Sequence, residues 1–402
     1  MAKLEIIPKT ISELHYKGAV NMKNTLKYVG LDVSKKNISV AIADEGREAP
    51  RFLGTIVHTP EAVRKLVKKL GDPKSLVFCY EAGPTGYELY RWLLNMGVSC
   101  TVIAPSLTPT RPGDHIKTDR RDALRLSQLF RAGELTSIHV PTRDDEALRD
   151  LVRARANAKE DQHRARQRVS HFLLRHQIVM PETIKLKWTQ KHQTWLTKLK
   201  FDRIPQEIAF REHLHAVYEC EQRLKRLEDA ILEETLNGAH ANIIQAVQSL
   251  RGIAHLTAIT LVAEIGSFSR FRSPAQLMAY LGLVPRESSS GETVRRGKMT
   301  KSGNTHVRRA LIESAWSYRY KPAIKRDIEK RLEGQSASVQ SISWKAQNRL
   351  HERYRHLMKK GKISTVVIGA IARELVGFIW SIACEAERQQ TTVATEAIAE
   401  GA

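Results

Sequence analysis

Cysteine is scarce: four residues in 402 (Cys79, Cys100, Cys220, Cys384), far apart and with no CxxC pair. That spacing argues against a zinc ribbon and a disulfide scaffold, and fits a reducing cytosol. Acidic residues are in deficit, 43 against 65 Lys and Arg, for a formal net charge of +22. An excess of that size opposes compaction by self-repulsion and points to a polyanionic partner. Long hydrophobic runs are also missing. The first 20 residues hold no apolar core of signal-peptide length, so secretion is not expected. The most apolar late stretch, Ile363 to Trp380, is broken by Arg373 and Glu374. It reads as too short and too charged to span a bilayer, and no membrane partner is expected. There is no internal repeat. What remains is globular, 42% hydrophobic and 27% charged, with a length that implies two or three domains.

Residues 1–26 read as a flexible basic leader. From Tyr28, the runs YVGLDVS, NISVAIAD and RFLGTIVH are β-rich and joined by tight connections. PEAVRKLVKKLG has proline at its start and glycine at its end, as a helix does. SLVFCYE is a fourth strand, GYELYRWLLNMG a helix, VSCTVIA a fifth strand and DRRDALRLSQLFRAG a further helix. The order predicts an α/β domain over 27–141 with a mixed sheet. Over 142–240 apolar residues recur at three- and four-residue steps, among them Leu148, Leu151, Val152, Leu214, Val217, Leu224 and Ile231. This predicts long helices or a coiled coil that joins subunits, interrupted near Pro181 and Pro205. A compact unit over 241–317, a basic helical extension over 318–385 and a frayed polar tail over 386–402 complete the chain.

Acids fall at telling places. Asp32 lies in the first strand behind Val29 and Leu31, where an unpaired carboxylate is costly. Glu81 ends the fourth strand, and Asp119 and Asp122 share one helix face. If the first and fourth strands are parallel neighbours, these carboxylates meet at one sheet edge. They become tolerable there by binding divalent cations, and hard oxygen ligands suit Mg2+ or Mn2+. Such pairs of metals activate oxygen nucleophiles at phosphorus. Each acid taken alone also reads as a surface residue, and Asp119 as a helix cap. Together with the strand order they predict a ribonuclease-H-like architecture. A sugar-kinase fold shares the early strands, but its glycine-rich phosphate loops are not found here.

A second constellation lies in YLGLVPRESSSGETVRRGKMTKSGNTHVRRAL. Ser288, Ser289 and Ser290 precede Gly291, then come Arg295, Arg296, Lys298 and Lys301, the Ser302–Gly303 pair, and Arg308 and Arg309. Two readings stand. The segment is a flexible loop whose cations bind backbone phosphate, or a serine in it attacks phosphorus while guanidinium groups hold the phosphate. Upstream, LRGIAHLTAITLVAEIG has a helix-hairpin-helix pattern, with Gly252 in place but Ala254 where a second glycine normally faces a phosphate.

These motifs, in this order from Tyr28 to Trp316, resemble the IS110 family of insertion-sequence transposases, closest to its IS1111 subgroup, also called DEDD transposases or bridge-RNA-guided recombinases. The resemblance implies a RuvC-like first domain in which Asp32, Glu81, Asp119 and Asp122 are catalytic metal ligands, and a serine-bearing transposase domain. It implies that the nucleophile is the serine before the glycine of an SG motif, best matched by Ser290, with Ser289 close by and Ser302 a remoter match. It further implies donor and target DNA as substrates, a structured non-coding guide RNA, and a homodimer or homotetramer. The expected function is therefore DNA cutting and rejoining through a covalent phosphoserine link. The competing expectations are a metal-dependent hydrolytic nuclease or Holliday-junction resolvase, and a non-catalytic nucleic-acid-binding protein.

Overall fold

The computed structural model describes residues 25–109, 118–236, 238–291 and 293–400, with backbone alone from 391. The leader expected over 1–26 therefore lies, but for Thr25 and Leu26, outside the described residues. The chain divides into two compact units, Met1–Val140 and Pro141–Ala402.

In the first unit, β1 (Lys27–Val33), β2 (Asn37–Asp44), β3 (Arg51–Val57), β4 (Leu76–Glu81) and β5 (Ser99–Ile103) form one sheet in the order β3-β2-β1-β4-β5. Tight connections make β1, β2 and β3 antiparallel neighbours. The helices α1 (Pro60–Leu70) and α2 (Glu88–Asn95) carry the chain back, so β4 and β5 run parallel to β1. Thr59 caps α1 by accepting from the Ala62 amide, and Pro60 starts it without wasting a donor.

Strand alternation sorts side chains between the two faces. Val29, Leu31, Phe78 and Tyr80 bury with Val63, Leu66, Leu89 and Leu93 of α1 and α2. Tyr28, Val77 and Cys79 turn to the other face, against Leu126 and Phe130 of α3 (Asp119–Arg131). There Gly30 is required: a Cβ on it would stand 2.4 Å from the Ser127 amide nitrogen and 2.6 Å from the Ala123 carbonyl oxygen. Any larger residue would lift α3 from the sheet.

The second unit opens with α4 (Arg143–Arg175), α5 (Gln190–Lys198) and α6 (Ile204–Leu236). Phe210, Val217, Leu224 and Ile231, seven residues apart, are buried along α6. Their partners lie within the chain. Ion pairs from Arg166 to Glu221 (2.9 Å) and Arg223 to Asp161 (3.1 Å) show that α4 and α6 run antiparallel. The apolar repeat that predicts a joint between subunits is thus largely used inside one subunit, although Leu174, Val179, Leu186, Ile204 and Ile208 stay exposed toward the far end of the pair.

Among the described residues there follow the α-helices α7 (Ala241–Gln248), α8 (His255–Ile265), α9 (Pro274–Tyr280), α10 (Thr305–Ala315), α11 (Arg326–Leu332), α12 (Ala337–Lys359) and α13 (Ser364–Glu400). Val367, Ile371, Leu375 and Ile379 of α13 are at most 1% exposed and form the centre of this core. Two expectations change here. The apolar stretch is long enough to cross a bilayer, running over Ser364–Gln390; it is its burial among α7, α9, α10 and α12 that makes it a core helix. The tail expected to fray over 386–402 continues α13 as far as Glu400.

Between α9 and α10, the Ser/Gly segment read as a loop forms an antiparallel hairpin of β6 (Pro285–Ser290) and β7 (Thr293–Met299). Gly291 begins its turn at φ +57. Consecutive residues with alternating exposure would have betrayed it, but every described residue from Arg286 to Lys298 is exposed, so no hydrophobic period is written in it.

Candidate active site

The four acids lie at one edge of the first unit. Asp32 follows Tyr28 and Gly30 on the α3 face of β1, and Glu81 follows Val77 and Cys79 on the α3 face of β4. The parallel register pairs Leu31 with Tyr80, which places Asp32 and Glu81 one step beyond it, at the carboxyl ends of neighbouring strands. Helix α3 runs against β1: Phe130 meets Tyr28 edge-on at 5.8 Å, and Ala123 and Ser127 meet Gly30. Its first turn, bearing Asp119 and Asp122, therefore faces the Asp32 end of the strand.

Thr118, not Asp119, caps α3, its hydroxyl accepting from the Arg121 amide at 3.3 Å. Asp119 is exposed and Asp122 half-buried in that first turn, where the positive end of the helix dipole favours negative charge. Glu81 is half-buried and accepts a 2.8 Å hydrogen bond from the Thr108 hydroxyl. Neither Thr108 nor its bond to Glu81 was legible in the sequence. Burial pushes the Cys79 thiol up, with further pushes from Cys100 and Glu81, so Cys79 stays a neutral packing group. An all-oxygen donor set at one sheet edge has the chemistry for Mg2+ or Mn2+. Yet among the described residues no three His, Cys, Asp or Glu side chains stand close enough to hold one ion. The expected four-carboxylate cluster is thus brought to one edge but is not drawn into one coordination sphere.

The serine hairpin belongs to the second unit. Its register pairs Ser290 with Thr293, Ser289 with Val294, Ser288 with Arg295 and Glu287 with Arg296. Paired residues share a face and successive ones alternate. Ser290, Ser288 and Arg295 therefore lie on one face, and Ser289, Glu287 and Arg296 on the other. The second face is internally satisfied: the Ser289 hydroxyl donates to Glu287 at 3.0 Å, and Arg296 stands 3.5 Å from the same carboxylate. Ser290 is at the tip, exposed, beside Gly291. The six cations expected to bind phosphate do not act as one set. Lys298 lies in the register shift between Arg296 and Met299, outside the regular alternation that sets Arg295 on the face of Ser290. Arg309 pairs with Glu313 at 3.0 Å. Arg308 donates 3.0 Å bonds to the Leu281 and Ser302 carbonyls, which makes it a strut of the hairpin base. Lys301 occupies that base with φ +56.

The helix-hairpin-helix pattern corresponds to α7, a turn and α8. Ala254 starts α8 without a side-chain cap. Arg251 in the turn donates to the Tyr320 and Lys321 carbonyls (3.3 and 2.8 Å), so its charge is spent on the protein's own backbone.

One group that sequence reasoning passed over is Glu264, 2% exposed on α8. Arg153 grips it through two bonds, 2.7 Å to Oε1 and 2.9 Å to Oε2, and the Asn304 side-chain amide donates to Oε2 at 2.6 Å. Burial pushes the carboxyl up, but the bonds from Arg153 and Asn304 and the charges of Arg153 and Arg149 outweigh it and hold it below the ordinary range. A signal existed: Glu264 is the single acid in the apolar run HLTAITLVAEIG.

Comparison with known proteins places both sites in matched segments. A DEDD transposase family model for IS110, described as Transposase, matches residues 29–178. A second, described as Transposase IS116/IS110/IS902 family, matches residues 244–329. The protein y4qE of Sinorhizobium fredii is 45% identical over 91% of this chain and 90% of its own length. The transposase for insertion sequence element IS1533 of Leptospira borgpetersenii is 33% identical over 83% of this chain and 97% of its own length. The transposase for insertion sequence element IS1111A of Coxiella burnetii is 24% identical over 72% of this chain and 77% of its own length.

Proposed function

The chain belongs to the IS110 family of transposases, and from that premise we propose that it cuts and rejoins DNA through a covalent link to Ser290. The observation that carries the reading is the hairpin register, which presents Ser290 at an exposed tip with Arg295 on the same face. The Ser290 oxygen forms a bond to the scissile phosphorus as the bond to the 3′ oxygen breaks. The departing 3′ oxygen takes up a proton, balancing the one Ser290 gives up. Arg295 neutralises the phosphate during attack. The phosphoserine keeps the bond energy, so rejoining needs no nucleotide cofactor.

Asp32, Glu81, Asp119 and Asp122 are the residues that would hold Mg2+ or Mn2+ in a RuvC-like, ribonuclease-H-like first unit. The strand order β3-β2-β1-β4-β5 and the common edge of the four acids support that assignment. A bound divalent ion supplies charge neutralisation at phosphate oxygens. The second unit's antiparallel α4–α6 pair serves as a joint between subunits of a homodimer or homotetramer, supported by the exposed Leu174, Val179, Leu186, Ile204 and Ile208. A structured non-coding RNA chooses donor and target DNA by base pairing, with the protein's +22 charge holding the phosphates.

The test is trapping of denaturant-resistant protein on cut DNA, using a plasmid that carries the coding region with its natural flanks and RNA transcribed from those flanks. The native chain is expected to form the adduct and Ser290→Ala to lose it while still binding the plasmid. Protein-free cleavage by Ser290→Ala would instead identify a hydrolytic nuclease or junction resolvase. No cut or adduct from the native chain, with Asp32→Asn binding the plasmid unchanged, would leave only a nucleic-acid-binding role.

A further inference from the structure

Among the described residues, the serine hairpin is anchored at its base. The Thr300 amide donates to the Val284 carbonyl at 2.9 Å, and the Lys301 amide to the Gly282 carbonyl at 3.1 Å. A Cβ on Gly282 would stand 2.0 Å from the Ser302 carbonyl oxygen, so residues 282 and 302 are in direct backbone contact. Arg308 ties Leu281 to Ser302 from below. Two residues on, Asn304 divides its side chain. Its oxygen accepts from the Val307 amide at 3.1 Å and starts α10, while its nitrogen donates to buried Glu264 at 2.6 Å. Glu264 in turn is clamped by Arg153 of α4. One connected path therefore runs from the long helix α4, through Glu264 and Asn304, to the base of the hairpin.

We infer that Glu264 is a positioning residue that aims the serine hairpin through Asn304. The reasoning is mechanical. Five residue steps from Pro285 to Ser290 span roughly 17 Å at about 3.3 Å per residue. A tilt of only about 3° at the base then moves the tip by about 1 Å, enough to cost about 100-fold in a reaction that depends on in-line placement. A side-chain bond between two neutral groups would tolerate such a tilt; a short charge-assisted bond to a carboxylate fixed by a bidentate guanidinium resists it. The burial of Glu264 adds to this, because the carboxylate has no water to turn to if Asn304 lets go.

This inference rests on Ser290 being the nucleophile, and the test separates the two. The assay is the rate of adduct formation by the full chain on the plasmid and flank transcripts described above, read beside plasmid binding and thermal melting. Asn304→Ser keeps a helix cap of similar strength but has no amide to reach Glu264. It is expected to slow adduct formation roughly 10- to 100-fold, with plasmid binding unchanged and melting lowered by no more than about 5 °C. Asn304→Asp also keeps the cap but sets a second carboxyl against Glu264. Such a pair, faced by Arg153 and Arg149, carries a shared proton in a growing fraction of molecules as pH falls, so the rate relative to the native chain is expected to climb between about pH 8 and about pH 5. A native rate in Asn304→Ser, or a loss of rate accompanied by loss of plasmid binding or by a fall in melting of more than about 10 °C, overturns the inference, as does a flat pH ratio for Asn304→Asp. Persistence of the adduct in Ser290→Ala would instead overturn the reading of the hairpin.

Discussion

The acidic edge and the serine hairpin place their candidate reactive groups by opposite means. Asp32 and Glu81 sit on central strands between two packed layers, and α3 can approach only because residue 30 is glycine. Their positions follow from close packing across a whole sheet, so they are over-determined. Ser290 stands on a two-stranded hairpin whose residues are exposed on both faces. An isolated hairpin is marginally stable at best, so this one depends on how residues 280–304 are anchored. The comparison teaches that damage to the first site should appear mainly as loss of chemistry or of the whole unit. Damage to the second should appear as mis-aiming, with stability nearly intact.

The sharpest way to break that contrast is at the two proposed sites. Ser290→Ala and Asp32→Asn are each expected to lower strand cleavage by about 1,000-fold or more. Asp32→Asn, an isosteric change, is expected to melt close to the native temperature. A large fall in its melting temperature would show that Asp32 serves the sheet rather than the reaction. Next in size, Gly30→Ala forces a methyl into the α3 backbone and is expected to destabilise the first unit by about 3 kcal/mol, measured by urea denaturation. A native-like midpoint would mean that α3 can shift without cost and that the acidic edge is less rigid than the packing implies.

The hairpin offers a finer comparison between its own faces. Arg295→Ala, on the Ser290 face, is expected to slow adduct formation about 100-fold. Arg296→Ala, paired with Glu287 on the opposite face, should change the rate no more than a few-fold and leave the salt dependence of binding as it is in the native chain. Equal effects would show that the hairpin presents both faces to DNA. A further effect is expected at the start of α4. The hydrogen bond from His240 at 2.7 Å holds the Asp145 carboxyl at about 2. Its folded pKa is depressed, so the stabilisation is present above the unfolded value near 4 and is lost as pH falls toward about 2. Asp145→Asn should therefore cost about 2 kcal/mol at neutral pH and almost nothing near pH 2, as read by denaturant titration at both.

Much of the first unit was legible because its code is periodic. Val29 and Leu31 alternate with Tyr28 and Gly30, and Pro60 and Gly71 punctuate α1. The hairpin was not, since ESSSGETVRRGK has turn chemistry throughout and no apolar face to give a period of two. The seven-residue repeat of Phe210, Val217, Leu224 and Ile231 was legible as a helix seam, but the repeat cannot say whether the facing helix belongs to the same chain. Here α4 supplies it, with ion pairs that fix the direction. Glu264 could be seen as an acid in an apolar helix, yet its partners Arg153 and Asn304 are 111 and 40 residues away.

Composition and motif order alone determined the class of partner, the α/β character of the first domain and the family. These depend on charge totals, local periodicity and residues spaced along one chain. Only the tertiary structure decided which serine and which arginine share a face, that α13 is a core helix, and that a buried carboxylate links α4 to the serine hairpin. Those outcomes depend on register, burial and contacts between distant segments, and no local run of residues encodes them.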